Sequence, residues 1–70
     1  MNEKFELEGS EFIELAQVLK IMGLVETGGH AKIVIQEGHV LVNGKVDTRR
    51  RAKLRSGDIV ELEGQIIEIV

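Results

Sequence analysis

The stretch Val40-Leu41-Val42-Asn43-Gly44-Lys45-Val46 decides how the rest of the chain is read. An Asn-Gly pair between β-branched flanks is the strongest short signal for a two-residue hairpin, because the favoured turn needs positive φ at both central residues. Downstream, Ser56-Gly57-Asp58 supplies a turn, and Ile59 to Leu62 and Gln65 to Val70 flank Glu63-Gly64 as a second hairpin. With a two-residue loop, Val60 faces Ile67 and Leu62 faces Gln65. Val60, Leu62, Ile67 and Ile69 then share one face, and Glu61 and Glu68 take the other. Everything after Gly38 therefore reads as strand and turn.

Upstream of the hairpin the period becomes helical. Thr27 can cap a short helix that stops before Gly38, with Ala31, Val34 and Ile35 on one face. Its opposite face carries Gly29, Lys32 and Gln36, with Ile33 near the centre. An earlier helix is predicted from Glu11, with Ser10 as its cap and Glu11 and Glu14 at its positive end. Phe12, Leu15, Ala16, Leu19 and Met22 form its buried stripe. Gly23 closes it in a left-handed conformation, with Leu24 folding back on Leu19. The Gly23 to Glu26 turn is so short that the two helices must meet as a hairpin or at an angle. Phe5 and Leu7, alternating with charges, suggest a further strand. The expected fold is α+β: two helices packed on a small, mainly antiparallel sheet, in one domain spanning residues 1–70.

Composition agrees with this and excludes several alternatives. The chain has 70 residues, no Cys and no Pro, with 43% hydrophobic and 30% charged residues, an ordinary globular balance. Its longest apolar runs have three residues, Ile33-Val34-Ile35 among them, against about 18 for a membrane span. The acidic N-terminus lacks the apolar core of a signal peptide. No membrane role is expected, and the cytoplasm is the expected compartment. No disulfide staple is available, and His30 and His39 lack the neighbouring ligands of a metal quartet. Ser10 and Ser56 are accounted for as cap and turn. Gly28-Gly29 is not followed by the Gly-Lys-Ser/Thr of a phosphate loop. No enzyme activity, cofactor or metal is expected.

The net charge of −3 conceals a sorted pattern. Residues 27–55 hold seven Lys and Arg against two acids, net +5. Residues 1–26 hold two against six, and residues 56–70 hold four acids alone, so each flank is −4. A basic middle between acidic ends points to one face for an anion. Within it, Arg49-Arg50-Arg51-Ala52-Lys53-Leu54-Arg55 concentrates five cations that repel one another unless an anion neutralises them. The Arg fork of donors suits phosphate, whereas Lys acts as a point charge. Lys32 and Lys45 are candidates for the same face. At the start of the second helix, Thr27, Gly28 and Gly29 leave backbone amides accessible to an anion. With no Trp or Tyr, and both Phe assigned to the core or first strand, no platform for stacking bases is expected. Recognition should rest on phosphates, sugar hydroxyls and shape, which favours folded or duplex nucleic acid.

The run from Thr27 through Ala31-Lys32, Ile35, Gly38, Val40 and Val42 to Asn43-Gly44, followed by Gly57-Asp58-Ile59, resembles the S-four-type RNA-binding domain, or αL motif. The match spans about residues 11–62 and is similar to the small stand-alone bacterial members of that family. The resemblance implies a non-catalytic protein for structured RNA, of ribosomal or transfer RNA class, contacted by the second helix and a neighbouring loop. Together with the cations and amides singled out above, it gives an expected RNA-binding set of Thr27, Gly28, Gly29, Lys32, Lys45, Arg49, Arg50, Arg51, Lys53 and Arg55. Thr27 stands where the family has a helix-starting Ser, and Gly28 replaces the usual Arg. Ile33 and Gln36 occupy outward positions often basic in the family. The cationic weight has shifted to Arg49–Arg55, which predicts a loop-centred mode. Two rival readings are a protein-interaction adaptor using Ile33, its protein partner unknown, and duplex DNA binding through the same cations.

Overall fold

The computed structural model describes residues 2–70. In chain order it runs β1 (Asn2–Phe5), β2 (Ile13–Glu14), α1 (Leu15–Ile21), α2 (Gly28–Gln36), β3 (Val40–Val42), β4 (Lys45–Val46), β5 (Lys53–Leu54), β6 (Ile59–Leu62) and β7 (Gln65–Ile69). Five strands form one sheet in the order β1-β7-β6-β3-β4, and β2 pairs with β5 in a separate two-stranded ribbon. All pairings are antiparallel except β1 with β7. The α+β expectation holds.

Both hairpins form in the expected register. Asn43 and Gly44 sit at φ +53° and +84°, the positive values that a two-residue turn demands, and Val42 pairs with Lys45. Val60 pairs with Ile67 and Leu62 with Gln65. Val60, Leu62, Ile67 and Ile69 are buried, whereas Glu68 is exposed and Glu61 half-buried. These residues join Leu15, Val18 and Leu19 of α1 and Ala31 and Ile35 of α2 in one apolar cluster. Each fully buried Leu, Ile or Val contributes about 1.5–3 kcal/mol through removal of its surface from water. Val18 belongs to this core although the expected stripe omitted it.

The second helix matches its prediction: the Thr27 hydroxyl accepts from the His30 amide at 3.0 Å. Its far end closes with His39 donating to the Val34 carbonyl and Gly38 to Ile35, both at 3.1 Å. The first helix ends in the same way. Leu24 donates to Leu19 at 2.9 Å and Gly23, at φ +77°, donates to Lys20 at 3.1 Å.

Its start differs from the prediction. The helix begins at Leu15, not Glu11, and Ser10 is no cap; the Ser10 amide donates to the Leu7 carbonyl in a turn. Ile13 and Glu14 are extended because they pair with Leu54 and Lys53. Glu14 is the residue preceding the helix, and its amide donates to Gln17 Oε1 at 3.4 Å. Phe12 consequently lies outside the helical stripe. The early strand is Asn2–Phe5 without Leu7, although the Leu7 amide still donates to the Val70 carbonyl at 2.9 Å.

Candidate nucleic-acid interface

The basic segment is ordered by what it does for α1. The first amides of a helix have no acceptor within it. Here Leu15 donates to the Ala52 carbonyl and Ala16 to the Arg50 carbonyl, each at 2.9 Å. The β2–β5 pairing continues this attachment. Ala52 and Leu54 are buried, so the alternation of an extended chain turns Arg51, Lys53 and Arg55 outward. Arg49 and Arg50 are exposed as well. The backbone is pinned while the cations face water.

Three adjoining surface depressions follow this segment. Lys45, Asp47 and Arg49 line one beside the first hairpin. Arg49, Arg51, Lys53 and Arg55 line the next. Arg50, Arg51 and Gly28 line a third with Glu14, between the two helix starts. Arg49 is common to the first two and Arg51 to the last two, so the depressions form a linked track. It brings together Gly28, Lys45, Arg49, Arg50, Arg51, Lys53 and Arg55. Thr27 and Gly29 adjoin it in sequence at the start of α2, with the Thr27 hydroxyl already engaged as the cap. Lys32 is exposed on α2 and lines none of the three.

Among the described residues the cations are largely uncompensated. Arg49 is the exception: its Nη2 lies 2.9 Å from Asp47 Oδ2 and its Nε 3.1 Å from Asp47 Oδ1, while its amide donates to the same carboxylate at 2.9 Å. The guanidinium hydrogen bonds hold the Asp47 carboxyl below its ordinary value, against the opposing effect of burial. The same hydrogen bonds raise Arg49. Arg50, Arg51, Lys53 and Arg55 form no ion pair among the described residues.

Two features escape a reading by charge alone. Phe12 was expected in the core; its ring instead faces two of the cations, with Lys53 Nζ 4.9 Å and Arg55 Cζ 5.8 Å from its centroid. The signal available was its position beside Ile13-Glu14, which the chain needs as a strand. The second feature is a clamp between the two turns. Asn43 Nδ2 donates to Asp58 Oδ1 at 3.0 Å, and the Ile59 amide donates to Asn43 Oδ1 at 2.9 Å. Asp58 Oδ2 accepts from the Arg55 amide at 2.7 Å, so the clamp ends on the basic segment. Both turns were legible, but nothing local announced that they interlock.

The sequence matches the family described as the S4 domain over residues 5–70. The chain belongs to the S4 domain family. Its relatives include the Escherichia coli (strain K12) "Putative RNA-binding protein YbcJ", 41% identical over 66 residues, covering 94% of each chain. The Bacillus subtilis (strain 168) "Probable ribosome maturation protein RlbA" is 47% identical over 55 residues, covering 79% of this chain and 78% of that one. The solution structure of YbcJ from E. coli, described as revealing an αL motif involved in RNA-binding, superposes with a TM-score of 0.74 at 40% identity. That superposition covers 96% of this chain and 85% of the other. Within the matched span the Asn-Gly and Gly-Asp turns hold each other through Asn43 and Asp58.

Proposed function

We propose that this chain is a non-catalytic, cytoplasmic RNA-binding protein that grips structured RNA, of the ribosomal or transfer RNA class, by its phosphates. The observation that carries this reading is the linked basic track, in which four cations have no carboxylate partner among the described residues and the backbone beneath them is fixed. The names of the relatives, one an RNA-binding protein and one a ribosome maturation protein, support the same class of ligand. No helix among the described residues is long and apolar enough to cross a membrane.

The direct test is a salt titration with a hairpin RNA. Neutralising about five phosphates makes log affinity fall with log salt at a slope of about −3.5 to −4.5. A flat response would remove the proposal. A DNA hairpin of matched shape should bind more weakly if the 2′-hydroxyls are read, and equally if only phosphates are. The adaptor alternative rests on Ile33, which is 55% exposed on α2. Partners co-purified with the protein that persist after nuclease treatment would favour it, and partners lost would favour RNA.

Gly28 allows a gain-of-function test. A Cβ built there meets nothing within 4 Å, and its φ is not in the left-handed region. Gly28→Arg should therefore be accommodated and should add a cation to the depression that holds Arg50 and Arg51. One further phosphate contact steepens the salt slope by about 0.9 and raises affinity about eightfold at 0.1 M salt. Unchanged affinity would place the RNA away from the α2 start.

A further inference from the structure

Phe12 belongs to two surroundings at once. Its ring meets Lys53 and Arg55, and it also walls a depression that neither cation lines. Phe5, Leu7, Ile13 and Ile21 supply the other apolar walls, and Ser10 and Gln17 the polar ones. Among the described residues, no charged one lines it. Ile21, on its rim, is 63% exposed, the highest value among the large apolar side chains described. The space is thus apolar, with neutral hydrogen-bonding groups, and it opens beside two cations without carboxylate partners among the described residues.

That combination selects its occupant. A flat, uncharged ring with donors and acceptors on its edge fits the depression, and an anionic group attached to it fits the cations. An unpaired nucleobase with its flanking phosphates has both parts. Aromatic rings accept bases of any sequence because every base has a π-face. A second copy of this chain seated on the same surface would bring two Lys53 and Arg55 pairs together, and like charges oppose that. We propose that Phe12 and the depression beside it hold one unpaired nucleobase of the bound RNA, with Lys53 and Arg55 on the adjoining phosphates. The inference rests on the RNA-binding reading and narrows its ligand to a stem that carries an unpaired nucleotide, rather than a continuous duplex.

The test compares a fully paired RNA hairpin with the same hairpin carrying one bulged 2-aminopurine. The native protein should bind the bulged RNA about fivefold or more tightly than the paired one, the least that one stacked base contributes. The 2-aminopurine fluorescence should be quenched on binding. Phe12→Leu keeps an apolar side chain but removes the π-face; it should abolish both the preference and the quenching while leaving the salt slope unchanged. Phe12→Tyr should restore both. Equal binding of the two hairpins by the native protein, with the expected salt slope, overturns the nucleobase site and leaves phosphate binding standing. So does a preference that survives Phe12→Leu, or a dimer that Phe12→Leu dissociates. Failure of the native protein to bind either RNA overturns the RNA-binding reading and this inference together.

Discussion

Replacing Arg50, Arg51 and Lys53 together by alanine is expected to weaken hairpin RNA binding about 500-fold at 0.1 M salt. Each lost phosphate contact removes about 0.9 from the salt slope, so three remove about 2.7, which is about 500-fold between 1 M and 0.1 M salt. These three are chosen because they form no ion pair among the described residues. Their side chains are exposed, so the melting temperature should change little. Arg49→Ala alone should cost less than any one of the three, because Asp47 already compensates that guanidinium at 2.9 Å. Affinity measured across a salt series, with melting curves alongside, separates a lost interface from a lost fold. An unchanged slope in the triple variant would mean that the track is not where the RNA lies.

Asn43→Ala is expected to cost about 1.5–3.5 kcal/mol of stability, the sum of two effects. A non-glycine residue without a suitable polar side chain loses about 1–2 kcal/mol at positive φ, and Asn43 sits at φ +53°. The bonds to Asp58 and to the Ile59 amide add about 0.5–1.5 kcal/mol, since water can reach this exposed site and replace part of them. For a domain of this size each kcal/mol moves the melting temperature by about 4–8 °C, so a fall of about 6–28 °C is expected. Asn43→Gly keeps the backbone conformation and loses only the side-chain bonds, so it should recover about half of the difference. Asp58→Ala should be non-additive with Asn43→Ala in a double-mutant cycle, because the two side chains share one hydrogen bond. Strict additivity would show that the bond between Asn43 and Asp58 carries no energy. Losing Asp58 also frees the Arg55 amide, so RNA affinity should fall with stability.

Where turn chemistry is local, the sequence was sufficient. Asn43-Gly44 and Glu63-Gly64 specify two-residue loops, and Val60, Leu62, Ile67 and Ile69 then specify the register, since a slip by one residue would expose all four. Thr27 and Gly38 bracket α2 for the same reason. The first helix shows the opposite case. Ser10, Glu11 and the spacing of Phe12 with Leu15 make a persuasive helix start, but Ile13 and Glu14 are taken by a partner strand that lies far along the chain. Local propensity is outweighed there by a long-range pairing. A clue did exist in Arg51-Ala52-Lys53-Leu54-Arg55, whose charged and apolar residues alternate with the period of a half-buried strand. Read only as charge, this run raises the expectation of an anion-binding segment; read also as a pattern, it identifies β5 and so explains the late start of α1. The interaction of Asp47 with Arg49 is of the local kind, an Asp two residues before the amide it accepts from.

The parallel pairing of β1 with β7 sets Asn2 beside Ile66 and Phe5 beside Ile69. The hairpins and α2 can assemble from near neighbours, but this contact requires the first and last strands described to find each other, and such loop closure is slow relative to local ordering. During synthesis the first strand must therefore wait, its edge unsatisfied, until the last has left the ribosome. Refolding kinetics should show it as the latest element to gain protection, and weakening it should hasten unfolding far more than it delays folding.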